Sequence, residues 1–125
     1  MRKEKVIRHV AETYGILPDR PFADDQDILV FRHTNTRKWF GVIMTIPKNK
    51  LGIHSNEMIG ILNLKCAMEI MHTIRQENGI YPAYHMNKDH WIRVALDGSA
   101  DDETIKWLIQ ISFQLTDKKK KTGIR

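Results

Sequence analysis

With 125 residues and a mass of 14.7 kDa, the chain is long enough to build one domain around its own core, and 42% hydrophobic with 28% charged residues is the make-up of a globular protein. Its longest unbroken apolar run is four residues, Ile28 to Phe31, far short of the roughly 18 that a membrane span needs. A single cysteine, Cys66, excludes an intrachain disulfide, and a net charge of +5 with a pI near 9.4 raises nucleic acid as a partner.

The first residues, Met1-Arg-Lys-Glu-Lys, are basic but lack the apolar stretch of a signal peptide. A cytoplasmic protein with no membrane association is therefore expected. Val6, Ile7, Val10 and Tyr14 recur at helical spacing and predict a helix from Lys3 to Tyr14, stopped by Gly15. Pro18 and Pro21 mark an extended connection that ends in the acidic loop of Asp24, Asp25 and Asp27. Ile28 to His33 and Lys38 to Ile46 are rich in β-formers on either side of the polar Thr34-Asn35-Thr36, which is the pattern of a hairpin. Pro47 to Gly52 breaks the sheet, and Ile59 to Lys65 reads as a third strand.

A second helix is expected from Ala67 to Glu77, with Ile70, Met71 and Ile74 inward and Asn78-Gly79 as its C-terminal cap. Ile80 to Met86 and Trp91 to Leu96 predict a second hairpin around Asn87-Lys88-Asp89, closed by Asp97-Gly98. Ser99, followed by Asp101, Asp102 and Glu103, is a start signal for a last helix, because acids favour the positive end of the helix dipole. Its inward face is Ile105, Leu108, Ile109, Ser112 and Leu115. The order α-β-β-β-α-β-β-α predicts an α+β, two-layer domain over residues 1–116, an antiparallel sheet covered on one face by helices. Residues 117–125 form a basic C-terminal tail.

The basicity sits mainly at the ends. Residues 1–8 carry a net +3 and residues 117–125 a net +4, whereas residues 9–116 sum to −2. Within that body, Ile28 to Asn56 holds Arg32, Arg37, Lys38, Lys48 and Lys50 and no acid.

Several landmarks resemble those of a family. Pro21-Phe22, Val30-Phe31-Arg32, Lys38-Trp39-Phe40, Leu64-Lys65-Cys66, the run Tyr84 to Val94 with Asn87-Lys88-Asp89-His90-Trp91, and Ser112-Phe113 occur in this order. The chain is thereby similar to the MmcQ/YjbR-like proteins, small bacterial domains to which DNA binding is attributed. The similarity spans about residues 20–115. Ala67-Met68 stands where the family commonly has Asp-Pro, and Phe113 where it has Tyr. The resemblance implies an α-β(3)-α-β(2)-α fold like that of secretion chaperones, whose two hairpins have been likened to a double-wing DNA-binding surface.

Candidate functional residues follow from charge and position. Arg32, Arg37, Lys38, Lys48, Lys50 and Lys88 lie on or near predicted hairpin ends, where they could neutralise phosphates, and Lys118, Lys119, Lys120 and Lys121 could add contacts that read no sequence. The same cations could instead guard a sheet edge, and the tail could simply solubilise. His85 and His90 flank one turn but lack the companions of a zinc site. Cys66 precedes a helix, where a thiol can become reactive, although cysteine is more often a buried apolar residue. The chain shows no Gly-rich phosphate loop, no His-Glu-x-x-His and no Gly-x-Ser-x-Gly elbow. The expected function is therefore non-enzymatic, without metal or cofactor: weak, largely electrostatic DNA binding. A protein-interaction sheet, or a small-ligand pocket near Trp39, Trp91 and Cys66, are the alternatives.

Overall fold

The computed structural model describes residues 1–83 and 91–117. The predicted tip of the second hairpin, with His85, Lys88 and His90, and the tail lysines Lys118, Lys119, Lys120 and Lys121 lie outside the described residues.

The elements are α1 (Lys3–Tyr14), β1 (Leu29–Arg32), β2 (Trp39–Pro47), a 3-10 turn (Lys48–Leu51), β3 (Met58–Lys65), α2 (Met68–Ile74), β4 (Ile80–Pro82), β5 (Trp91–Ala95) and α3 (Asp102–Thr116). The strands form one sheet in the order β1-β2-β3-β5-β4, every neighbouring pair antiparallel. The α+β architecture expected from the sequence is the one observed.

Alternation along the strands assigns each side chain to a face. Leu29, Phe31, Ile43, Leu62, Leu64, Ile92 and Val94 occupy one face, as their register pairing requires, and they are buried with Val6 and Val10 of α1, Met71 and Ile74 of α2, and Ile105, Leu108 and Ile109 of α3. Each of these large side chains contributes about 1.5–3 kcal/mol on burial, which makes this layer the main source of stability. The other face carries a smaller cluster, Ile59, Ile61 and Ala95, against which Met44, Ile46, Tyr81 and Leu51 of the 3-10 turn pack.

Pairing slips near the wing. Phe31 opposes Gly41 while Arg32 opposes Trp39, so Phe40 is the extra residue of a β-bulge. The bulge joins the Phe40 ring to the helix-side core, 5.9 Å from Phe31 and 5.0 Å from Phe113. Gly41 leaves room for Phe31, whose ring carbon would lie 3.2 Å from a Cβ at that position. The bulged carbonyl is satisfied from α3: Ser112 Oγ donates to the Phe40 oxygen at 2.6 Å and accepts from the Lys65 N–H at 2.9 Å.

Three boundaries depart from the sequence expectation. Helix α2 ends at Ile74, three residues before Glu77, and Gly79 serves a different purpose. At φ 77 it turns the chain into β4 so tightly that a Cβ there would meet Ser99 Oγ at 2.7 Å and the Ala100 nitrogen at 2.8 Å. Helix α3 is capped by Asp101, whose side chain accepts from the Thr104 N–H, whereas Ser99 binds Asp97 in the preceding turn. Its buried face closes on Thr116, not Leu115, because Thr116 lies four residues beyond Ser112 and continues that stripe.

Candidate nucleic-acid interface

Strands β2 and β5 begin at the same end of the sheet. Trp39, at the start of β2, neighbours Gly41, which opposes Leu64, and the following Lys65 opposes Trp91 at the start of β5. The start of β2 and the start of β5 therefore lie at the same end of the sheet, with the end of β3 between them. The C-terminal end of α3 reaches this end as well, because His33 Nε2 lies 2.8 Å from Thr116 Oγ1 and Nδ1 lies 3.3 Å from Asp117. In sequence, Lys118 to Lys121 follow directly.

The first wing tip is closed by two backbone bonds, His33 N–H to Lys38 O at 2.9 Å and Arg37 N–H to His33 O at 3.0 Å. Arg37 adopts φ 63, a left-handed conformation rare for a residue with a Cβ. Arg37 and Lys38 are exposed at this tip. Lys48 and Lys50 follow the opposite end of β2, about 30 Å away at roughly 3.3 Å per strand residue. The acid-free run thus divides into two groups and forms no single patch.

Nor is the run free of acids in space. Asp19 pairs through its backbone with Val30 at the edge of β1, its N–H and carbonyl bonded at 2.8 and 2.9 Å. Its carboxylate lies 2.8 Å from Arg32 Nε and 3.1 Å from Arg37 Nη2. Glu57 lies 3.2 Å from Lys48. Arg32 is further held over the Trp39 ring, 5.4 Å from its centroid, and Phe22 meets Trp39 edge-on. Lys65, on the helix-free face opposite Trp91, is a further cation of the wing end, one that stands between Leu64 and Cys66 in the sequence and so belongs to no basic run.

Other expectations resolve differently. Cys66 belongs to the helix-side core at 1% exposure, and burial pushes its thiol up, away from the reactive thiolate. Trp39 and Trp91 share the opposite face with Arg32 and Lys65, so the pocket expected near Trp39, Trp91 and Cys66 does not form: the sheet lies between them. A groove of about 530 Å³ opens instead between α1 and α3, lined by His9, Thr13, Tyr14, Lys106 and Phe113. Among the described residues no helix is long and apolar enough to cross a membrane, and no group of three or more His, Cys, Asp or Glu side chains is placed to hold a metal ion.

Comparison with known proteins matches this architecture. The family model YjbR matches residues 11–115. The uncharacterized protein YyaQ of Bacillus subtilis is 40% identical over 116 residues, covering 93% of this chain and 98% of that protein. A crystal structure of a Pseudomonas syringae protein superposes with a TM-score of 0.88 at 40% identity, covering 93% of this chain and 99% of the other. A Deinococcus radiodurans crystal structure gives 0.68 at 27% identity, covering 98% and 84%. A match that runs from within α1 to the last turn of α3 takes in the wing, the Lys65-Cys66 junction and the Ser112 anchor together, and the chain belongs to the YjbR family.

Proposed function

We propose that this protein is a non-enzymatic, cytoplasmic nucleic-acid-binding domain that contacts phosphates with the wing end of its sheet. The observation that carries the reading is convergence. Arg37, Lys38 and Lys65 lie at the end of the sheet where β2 and β5 begin, and the sequence puts Lys88 and Lys118 to Lys121 in the segments adjoining that end. Cations gathered at one end can neutralise neighbouring phosphates, whereas Lys48 and Lys50, about 30 Å away, cannot join them on a short site. Asp19 offsets part of this charge, which fits weak binding.

The test compares two double substitutions in a titration of fluorescent DNA across a salt series. Arg37→Asn with Lys38→Gln removes the wing cations, and asparagine tolerates the left-handed backbone at that position. Lys48→Gln with Lys50→Gln is the matched change at the far end. The wing variant is expected to weaken binding and to reduce the slope of log K against log salt by about 2; the far-end variant is expected to leave both unchanged. Equal effects from the two pairs would refute a wing-end interface.

A protein-interaction reading has its own observation. Trp107 is 46% exposed beside an apolar groove of about 350 Å³ walled by Ile70, Thr73 and Ile74. Absence of DNA binding at low salt would move this second reading ahead.

A further inference from the structure

The helix-free face of the sheet holds a polar pair that the fold leaves unsatisfied. Asn63 in β3 and Arg93 in β5 are opposed in the register, with Val42 beyond Asn63 and Tyr81 beyond Arg93 on the same row. Asn63 is 0% and Arg93 5% exposed. The Asn63 amide nitrogen donates to the Val42 carbonyl at 3.1 Å, which fixes the orientation of the side chain and leaves Oδ1 as a buried acceptor without a donor. Arg93 Nε and Nη1 are buried donors without an acceptor. Burial pulls the guanidinium down, and among the described residues no carboxylate enters the balance to hold it up.

An isolated buried cation costs several kcal/mol, and buried polar groups in folded proteins almost always find partners. What this pair lacks is specific. Arg93 calls for an anionic acceptor with more than one oxygen, which its forked donors match. Asn63 Oδ1 calls for a donor. Directly opposed residues on one face have Cβ atoms about 5 Å apart, a span that a single tetrahedral oxyanion can bridge. A water molecule would serve Asn63 but leave the charge uncompensated. Sulfate would serve Arg93 but bring no proton to Asn63. Hydrogenphosphate, or the monoanion of a phosphate monoester, which persists below a second pKa of about 6, brings both.

We propose that Arg93 and Asn63 form the floor of a site for a phosphate group that still carries a proton. The site lies within the sheet face, distinct from the exposed cations of the wing tip, and does not depend on the nucleic-acid reading. Lys65 and Trp91 form the next row on the same face and add positive charge on that side.

Calorimetric titration of the full chain in a phosphate-free buffer tests it, with inorganic phosphate, sulfate at equal ionic strength, and adenosine monophosphate as probes. Saturable binding of inorganic phosphate is expected, with sulfate at least tenfold weaker. Arg93→Met, which removes the buried charge at similar length, is expected to abolish phosphate binding, and Asn63→Leu to lose the preference over sulfate. Binding of the monophosphate as well as the ion would assign the site to the head of a larger ligand; binding of the ion alone would assign it to free phosphate. Either result upholds the site. No saturable phosphate binding by the unaltered chain would overturn it, whether or not the variants fold. Phosphate and sulfate bound alike, or undiminished binding in a folded Arg93→Met chain, would do the same. The DNA titration of that variant separates the two readings, because loss of the phosphate site leaves the wing cations in place.

Discussion

The Ser112 hydroxyl ties three elements together, and its removal offers a sharp test of the packing argument. It donates to the bulged Phe40 carbonyl at 2.6 Å and accepts from the Lys65 N–H at 2.9 Å, while Ser112 itself is 0% exposed. Ser112→Ala deletes one oxygen and orphans two backbone groups in a place with little access for water. Each buried group left without a partner costs about 1–3 kcal/mol. The helix preference of alanine over serine returns only about 0.5 kcal/mol. The expected loss is therefore about 3 kcal/mol. With a urea m-value of about 1.5 kcal/mol per molar, the unfolding midpoint should fall by about 2 M. Urea titrations followed by both circular dichroism and tryptophan fluorescence measure it, and Gln114→Ala, on the exposed side of the same helix, should stay within about 0.5 kcal/mol of the parent. A midpoint within about 0.3 M of the parent at unchanged m would refute the claim that this hydroxyl closes the bulge.

His33 is 3% exposed, and its pKa is lowered mainly by burial, with Lys38 adding to the shift while Asp117 and a hydrogen bond at the Phe113 backbone oppose it. Thr116 donates its hydroxyl to the Ser112 carbonyl, so His33 Nε2 carries a proton and donates it toward Thr116. A lowered folded pKa means that the unfolded chain takes up the proton first. Stability from this group is thus complete above the ordinary value of 6.5 and drains away as pH falls below it. Thermal melts from pH 8 to 5 should show that decline in the parent and a flatter curve in His33→Gln; parallel curves would contradict it. Gly79→Ala should cost about 2–5 kcal/mol, combining a left-handed backbone with a Cβ forced to 2.7 Å from Ser99 Oγ. Gly60→Ala, whose Cβ would find its nearest neighbour at 3.8 Å, should cost little, and similar denaturation midpoints for the two variants would contradict the close approach at Gly79. Asp19→Asn releases Arg32 and Arg37 from their shared carboxylate, so it should tighten DNA binding and steepen its salt dependence by about 1; weaker binding would show that Asp19 positions these cations for the ligand.

The fold was legible because its signals are local. The bounds predicted for the first helix are the observed ones, since Val6, Val10 and Gly15 state its periodicity and its stop within one short segment. The strands β1, β2, β3 and β5 were found to within a residue or two, since apolar runs and polar turns are neighbours in the chain. The errors fell where a distant contact decided the outcome. Asn78-Gly79 looks like a helix cap, but Gly79 is required by Ser99 and Ala100, some twenty residues away in the sequence. Ser99 looks like a helix start, yet Asp97 holds it in the preceding turn and Asp101 makes the cap.

The site was less legible because charge acts through space. A window from Ile28 to Asn56 contains five cations and no acid, yet the wing's field is set by Asp19, which enters by pairing its backbone with Val30. Strand geometry then separates Lys38 from Lys48 by about 30 Å, although ten residues of sequence make them look like one patch. Arg93 is inconspicuous in the sequence for the converse reason. Within Trp91-Ile-Arg-Val-Ala95 it is a single polar residue in a strand, the pattern of a solvated face. The second layer around Ile61, Leu51 and Tyr81 means that this face is in part covered, so the alternation that predicts exposure instead sets a guanidinium beside Asn63 with nothing to neutralise it. A polar residue at an outward position is informative only once the covering of that face is known, and here the covering turns an ordinary strand arginine into the protein's least compensated charge among the described residues.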